Sequence, residues 1–183
     1  MKIRIRNYLI FTIILSIPMM LNDFNVYGDD GVQHISRLMG TAQSISEGQI
    51  IPVIMSNFCN GFGYSWNIFY SPVTAYIPLI FSIFTSSFEL MFKLFTILVV
   101  FLSGISMYEF VAKVTKDTNV GLLAAGFYIF SSYRFTDMYM RMAISALSSF
   151  IFIPMVFHGM YNIFHGEEKD KKSLLLTLGA AGL

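Results

Sequence analysis

Long stretches without charge constrain this chain more than any other feature. No Asp, Glu, Lys or Arg occurs from Gln49 to Phe88, and apolar runs follow at Leu94–Tyr108 and Met142–Phe164. The 183 residues are 55% hydrophobic and 13% charged, whereas ordinary soluble domains carry about 25% charged residues. A soluble core of this size cannot bury so many apolar side chains, so we expect lipid to solvate much of the chain. The sequence predicts an all-α fold, that of a polytopic helical membrane protein.

The charge balance argues against a nucleic-acid partner. The formal net charge is only +1, and no cluster of Lys and Arg marks a phosphate-backbone footprint. A single cysteine, Cys59, cannot form a disulfide within the chain. The expected first partner is therefore the lipid bilayer.

The N-terminus predicts the first span. Lys2, Arg4 and Arg6 precede an uncharged run over residues 7–22, which as a helix is about 24 Å long. That is slightly less than the ~30 Å hydrocarbon core, and arginine side chains can snorkel across the difference. A cleaved signal peptide is the rival interpretation, but no small-x-small cleavage site follows. We therefore expect an uncleaved span with a cytoplasmic N-terminus.

Four more apolar stretches complete the predicted topology. Spans are expected at about 92–112, 119–133 and 142–164, and a fifth begins near residue 173. Residues 23–91 then form an outer loop. Within it we predict extracytoplasmic interfacial helices at about 31–47, where apolar residues recur at helical spacing before Gly48, and at about 73–88.

The distribution of Lys and Arg decides whether 73–88 crosses the membrane. If it does not cross, eight basic residues lie inside and four outside; if it does, the count is six against six. Positive charge concentrates on the cytoplasmic side, so we prefer the first arrangement. The four outer residues are then Arg37, Lys93, Arg134 and Arg141. The protein is expected in a bacterial plasma membrane, with segments 28–38 and 133–141 on one outer face.

These two segments hold the candidate chemistry. Asp30, His34 and Arg37 have helical spacing (i, i+4, i+7) and share one side of the first predicted interfacial helix. Arg134, Asp137 and Arg141 supply the second group. A carboxylate at this level can take a proton from a hydroxyl, and arginines can hold a phosphate and stabilise the charge left after bond cleavage.

Structural interpretations stay open for each of these residues. Asp30 can serve as the N-cap of the interfacial helix. Arg134 and Arg141 can act as interfacial anchors, and Asp137 can pair with Arg141 at i+4. Spacing alone does not decide between these roles and catalysis.

Four motifs resemble those of a bacterial multi-pass family, the YfhO-like proteins and relatives of GT-C architecture. GDDGVQHISRL resembles the first-loop pattern G-x-D-x-x-x-H-x-x-R, and GQIIP resembles a G-Q-x-x-P turn. NGFGYSWNIFY resembles an N-G-x-G-Y…F-Y segment that includes Tyr64 and Tyr70. YRFTDMYMR resembles Y-R-x-x-x-x-Y-x-R. The four lie in the family's order along nearly the whole chain. Some relatives bear a label derived from 6-pyruvoyl-tetrahydropterin synthase, but nothing here resembles a soluble pterin enzyme.

The resemblance implies a glycosyltransferase that takes a sugar from a polyprenyl-phosphate-linked donor on the outer face of the membrane. Under it, Asp30 is the catalytic base, while Arg37, Arg134 and Arg141 contact the donor phosphate and His34 supports the site. Tyr64 and Tyr70 fall in the aromatic segment, where they can bind the sugar. The acceptor, a glycan or polymer, is not indicated. Some GT-C enzymes need a divalent metal, and no ligand set here requires one.

Two departures from the family pattern affect this expectation. Relatives often carry a glutamate five residues after the last arginine of the fourth motif, where this chain has Ala146; Asp137 must then supply the second acid. GT-C proteins are also several times longer, so we expect an N-terminal portion that is inactive alone. The alternatives are a non-catalytic member that binds a lipid-linked glycan and, with less support, a transporter.

Overall fold

The computed structural model describes residues 2–21 and 28–165. Every regular element in these two ranges is helical, and a single isolated bridge between Met55 and Tyr64 is the one β-type pairing seen in them. The predicted all-α class is therefore confirmed. The fifth span expected from residue 173 lies outside the described residues, as does the last residue of the first predicted span.

In the part of the chain that the structure describes, two helices are long and apolar enough to cross a membrane. They are α5 (Phe88–Thr115, 28 residues) and α8 (Ile144–His165, 22 residues), about 42 and 33 Å long against a hydrocarbon core of about 30 Å. Three further apolar helical stretches in the described residues are shorter, one of them Val73–Ile83 between α1 and α5. The apolar part of α1 (Lys2–Leu21) is Leu9–Leu21, and α6 (Thr118–Ile129) has 12 residues.

Helix α5 is the centre of the packing, with α1, α6 and α8 around it. A buried apolar cluster from α1, α5, α6, α8 and the segment before α8 joins them: Leu15, Met19, Phe92, Phe95, Val99, Val100, Ile129, Met138, Met142, Ile144 and Leu147. Between α5 and α6 the chain turns at Lys116, which has a φ of +57°, and the Asp117 carboxylate caps α6 by accepting from Asn119 N at 2.7 Å. Close α5–α6 packing depends on Gly121, where a Cβ would lie 2.8 Å from Ala112 Cβ.

The loop between α1 and α5 contains α2 (Gly31–Ser46), close to the predicted 31–47. Gly48 follows it with a φ of +94°, and its N–H donates to Ile45 O at 3.0 Å, as expected of a helix C-terminus. A 3₁₀ turn (Cys59–Gly61) and α3 (Trp66–Phe69) lead to α4 (Val73–Leu79).

The prediction of one helix over 73–88 is wrong. Helix α4 ends at Leu79, a 3₁₀ turn occupies Ile80–Ile83, and α5 has begun by Phe88. The physical reason is a capping signal inside the run. Ser87 has an extended backbone, and its hydroxyl accepts from Leu90 N at 3.3 Å, which starts a new helix.

The predicted span 119–133 also ends earlier than expected. Helix α6 stops at Ile129, because Ser131 has a ψ of 141° and starts the short α7 (Ser132–Phe135). A π-helix (Thr136–Arg141) follows directly, and Met142, with a φ of +56°, separates it from α8. This irregular segment carries Arg134, Asp137 and Arg141.

Candidate functional site

The two polar segments meet through their backbones. Asp29 N donates to Met140 O at 3.0 Å, and Asp30 N donates to Arg141 O at 2.9 Å. At Gly28 the chains approach so closely that a Cβ would lie 2.4 Å from Met142 Cγ. We call this contact between residues 28–30 and 140–142 the junction. It places the backbones of Asp30 and Arg141 side by side.

Asp30 occupies the N-cap position of α2 without acting as a side-chain cap. Its φ and ψ are −107° and −2°, and its carboxylate accepts no bond from the first turn. The interpretation of Asp30 as a conventional N-cap is therefore wrong. Asp30 is half-buried and Asp29 is exposed, so both carboxylates stand at the edge of the junction.

Arg141 is the arginine that the structure presents to the surface at this place. Its Nη1 lies 2.8 Å from Asp137 Oδ1 in an ion pair, and its side chain is 45% exposed while that of Asp137 is 0% exposed. The same nitrogen donates to the Tyr133 hydroxyl at 3.4 Å. The bond to Tyr133 and the charge of Asp137 raise the pKa of Arg141. The predicted i+4 pair is confirmed: the buried Asp137 carboxylate binds the partly exposed Arg141 guanidinium.

Arg37 lies inside the outer loop. Its Nε donates to Asn67 Oδ1 at 3.2 Å, its Nη1 to Thr74 Oγ1 at 3.1 Å, and its Nη2 to the carbonyl of Ser71. Its guanidinium carbon is 5.4 Å from the centre of the Tyr70 ring. With 1% of its surface exposed, Arg37 ties α2 to the segment 67–74, and no part of it reaches a phosphate at the surface.

His34 lies beside Arg37 and is also buried. Its ring meets Tyr70 edge-on at 5.8 Å and stacks near Phe92 at 6.2 Å. Burial lowers the pKa of His34 to about 4; the charge of Arg37 adds to this effect and Asp30 opposes it. The imidazole is therefore neutral at physiological pH, and it packs between the outer loop and α5.

Arg134 is fully buried between helices. Its Nη1 donates to Ser103 Oγ at 2.7 Å, and its guanidinium carbon lies 4.3 Å from the Phe150 ring centre and 5.1 Å from that of Tyr128. Among residues 2–21 and 28–165, its Nε and Nη2 find no hydrogen-bond partner, and neither does Asp137 Oδ2. The geometry ties α7 to α5 and α8, and it separates Arg134 from the exposed edge where Arg141 stands.

The two candidate tyrosines are in different surroundings. Tyr70 contacts both His34 and Arg37, so it belongs to the buried side of the site. Tyr64 pairs with Met55 through the backbone, and its ring meets Trp66 edge-on at 5.5 Å. The structure does not bring Tyr64 to the junction. Within residues 2–21 and 28–165, no group of three or more His, Cys, Asp or Glu side chains could hold a metal ion.

Sequence reasoning missed the partners of the buried arginines. Asn67 and Thr74 accept from Arg37, and Ser103 accepts from Arg134. The sequence carries one signal that Arg37 would find partners such as Asn67 and Thr74. A charge-free segment of 40 residues that packs on a helix bearing an arginine must satisfy the guanidinium with its few amides and hydroxyls.

Comparison with known proteins yields one informative match. An uncharacterized protein of Lactococcus lactis subsp. cremoris (strain MG1363) is 33% identical over 179 residues. The alignment covers 96% of this chain but only 29% of that protein, so the chain spans less than a third of the length of its relative. No protein-family profile matches the chain, and no solved structure matches it.

Proposed function

We propose that the chain is part of a multi-pass protein of a bacterial plasma membrane, with a cytoplasmic N-terminus and the junction on the outer face. The length and apolar character of α5 and α8 support membrane crossing. The short α6 can complete a crossing with α7 and the π-helix, because their residues Arg134, Asp137 and Met138 are buried against neighbouring helices and irregular backbone is tolerated where protein surrounds it. The count of eight basic residues inside against four outside supports the orientation.

We propose further that the junction binds a polyprenyl-phosphate-linked sugar and transfers the sugar to a hydroxyl of a glycan or polymer. The observation that carries this proposal is the pair of backbone hydrogen bonds that joins residues 29 and 30 to residues 140 and 141. A carboxylate and a partly exposed guanidinium at one edge match the two needs of the reaction, proton removal and stabilisation of a leaving phosphate.

The roles of the other candidates follow from their burial. Asp30 takes the proton of the acceptor hydroxyl, whose oxygen attacks the sugar carbon. The bond from that carbon to the phosphate oxygen breaks, and the phosphate leaves with the electron pair beside Arg141. Arg37 and His34 position the outer loop, Arg134 fixes α7, and Asp137 orients Arg141 through their 2.8 Å ion pair.

A binding measurement tests the phosphate site. The chain is placed in liposomes containing a polyprenyl-phosphate hexose, and the broadening of its phosphorus NMR signal is followed as the protein is titrated. Charge-assisted hydrogen bonds contribute about 1.5–3 kcal/mol, so Arg141→Gln should weaken binding by about tenfold or more. The matched control is Lys113→Gln in the last turn of α5, which should leave binding unchanged. Equal binding by Arg141→Gln would contradict the assignment.

The Asp30→Asn variant separates an enzyme from a non-catalytic binder of the lipid-linked glycan. The assay uses the full-length protein of which this chain is proposed to be part. There the substitution should lower hexose release by about 10²-fold or more while the donor still binds. A binder that presents the donor to another protein would retain its full function with asparagine at this position. The transporter alternative has no supporting observation in the described helices.

A further inference from the structure

A groove of about 360 Å³ lies between α5 and α8, mainly in their second halves. Apolar side chains such as Leu102 and Met155 form part of its lining. Three larger polar side chains also line it: Glu109 from α5, and His158 and Asn162 from α8. The groove therefore combines an apolar surface with groups that form hydrogen bonds.

Two faces of α8 differ in what they offer to their surroundings. One face carries Phe157, Met160 and Phe164, which are exposed and apolar, so lipid can cover it. The groove face instead carries His158 and Asn162. Polar and ionisable side chains within membrane-spanning segments almost always face other parts of the protein. In the proposed topology, protein is therefore the better occupant of the groove.

The side chain of Asn162 lacks a donor for its oxygen. Its Oδ1 is shielded from solvent and accepts no hydrogen bond within the described ranges of the chain. The Ser106 hydroxyl also lines the groove, but it already donates to Ile151 O at 2.7 Å. Because a buried polar atom without a partner is costly, we expect the occupant of the groove to supply the donor.

The sequence that follows α8 contains such a donor at a suitable position. Six charged residues occupy 166–172, and an uncharged run over 173–183 comes next. Seven residues can reach about 24 Å, whereas packed helices lie about 8–10 Å apart. In a helix that starts at Ser173 and runs antiparallel to α8, Thr177 lies about 6 Å from the start, and Asn162 lies about 4.5 Å from the end of α8. The two side chains then share nearly the same depth.

We propose that residues 173–183, the start of the predicted fifth span, pack in this groove antiparallel to α8, with the Thr177 hydroxyl donating to Asn162 Oδ1. The small residues GAAG at 179–182 then reach the depth of Gly159, which lines the groove, and small residues let membrane helices approach closely. The inference goes beyond the proposed function. It does not depend on sugar transfer, so either can fail while the other stands.

Disulfide cross-linking in membranes tests this placement. In a Cys59→Ser background, His158→Cys is paired in turn with four substitutions that sample every direction around one helical turn: Gly179→Cys, Ala180→Cys, Ala181→Cys and Gly182→Cys. After oxidation, trypsin cuts at the lysines of 166–172, so the α8 peptide and the C-terminal peptide stay joined only through a disulfide. Mass spectrometry measures the joined peptides.

The matched control pairs Phe157→Cys with the same four substitutions. Position 157 has nearly the same depth as 158 but lies on the exposed apolar face of α8. Disulfides form where Cα atoms lie within about 7 Å, so the best His158→Cys pair should exceed its control by about tenfold. Melting temperatures of the reduced variants are compared with that of the parent protein to confirm folding.

A second measurement tests the hydrogen bond without cysteines. Thr177→Val should lower the melting temperature in detergent by about 2 °C, because hydrogen bonds between membrane helices are weak. In an Asn162→Leu background the acceptor is gone, so the same substitution should have no effect. Equal losses in the two backgrounds would mean that Thr177 does not bind Asn162.

Three cross-linking results would overturn the inference. Stronger links from Phe157→Cys would place the segment on the apolar face of α8. Links between two chains, seen as a dimer on a gel before trypsin is added, would make the occupant a second copy of the protein. If no pair forms links, lipid or another protein fills the groove.

Discussion

At the scale of residues, three arginines that look equivalent in the sequence have three different environments. Arg37 satisfies acceptors of the outer loop, Arg134 lies against the rings of Phe150 and Tyr128, and Arg141 reaches the surface. A motif gives the position of an arginine but not its depth, because depth depends on which segments pack above it. The family resemblance therefore predicted three arginines around one donor phosphate. The structure leaves one of the three guanidinium groups accessible at the junction.

The neutral state of His34 leads to a prediction about pH. Its pKa is about 4 in the folded protein and near 6.5 in an unfolded chain. The unfolded state therefore binds more protons between these values, so the free energy of unfolding should fall as pH drops from about 6.5 to 4 and level off below. At about 1.4 kcal/mol per pKa unit, the total is about 3 kcal/mol.

Thermal unfolding of the detergent-solubilised protein between pH 7.5 and 4.5 measures this effect. His34→Gln removes the titrating group while keeping a polar side chain of similar reach, and it should flatten the acid limb. The same acid sensitivity in His34→Gln would show that other groups control this limb.

At the scale of elements, one boundary set by a local signal was predicted, a second was missed, and those set by packing were not predicted. The end of α2 at Gly48 follows from a residue that adopts positive φ without strain. The break at Ser87 also had a local cause, a serine cap, but the apolar run around it hid that signal. The early end of α6 and the π-helix before α8 depend on burying Arg134 and Asp137, and no local pattern announces that.

The junction between elements makes its own prediction at Gly28. A Cβ there would lie 2.4 Å from Met142 Cγ and 3.0 Å from Met140 O, so Gly28→Ala should push the two segments apart. We expect a loss of about 1–3 kcal/mol in stability, as for other overpacked sites, and weaker binding of the polyprenyl-phosphate probe.

Gly126→Ala is the matched control, because its Cβ would lie 3.6 Å from Phe11, an ordinary contact. Melting temperature and phosphorus NMR broadening are measured on both variants. Equal behaviour of the two would mean that the junction tolerates separation and does not define the site.

At the scale of the whole molecule, the proposed membrane topology makes a prediction about the side on which each loop lies. Hydrophobic runs predicted the helices that pack together, because burial against lipid and against α5 uses the same apolar side chains. Sidedness comes from the distribution of charge instead. It therefore stays a prediction of the sequence rather than a property of the packed helices.

Cysteine labelling tests the sidedness. In a Cys59→Ser background, Asp29→Cys and Met140→Cys place a thiol at exposed positions on the two halves of the junction, and Asn119→Cys places one at the α5–α6 turn. A membrane-impermeant maleimide added to intact cells should label positions 29 and 140. Position 119 should react only after the cells are permeabilised. Labelling of 119 from outside, or of 29 and 140 from opposite sides, would refute the proposed orientation.

Because Asp29 and Asp30 are attached to residues 140 and 141 through main-chain atoms, most side chains around this attachment can change without undoing it. The side chains at positions 29, 30 and 141 can then vary in evolution while the backbone contact between the two segments persists. Distant homologues should therefore preserve small residues at position 28 more faithfully than acids at 29. A homologue that loses the acid at position 29 would keep the contact between the two segments.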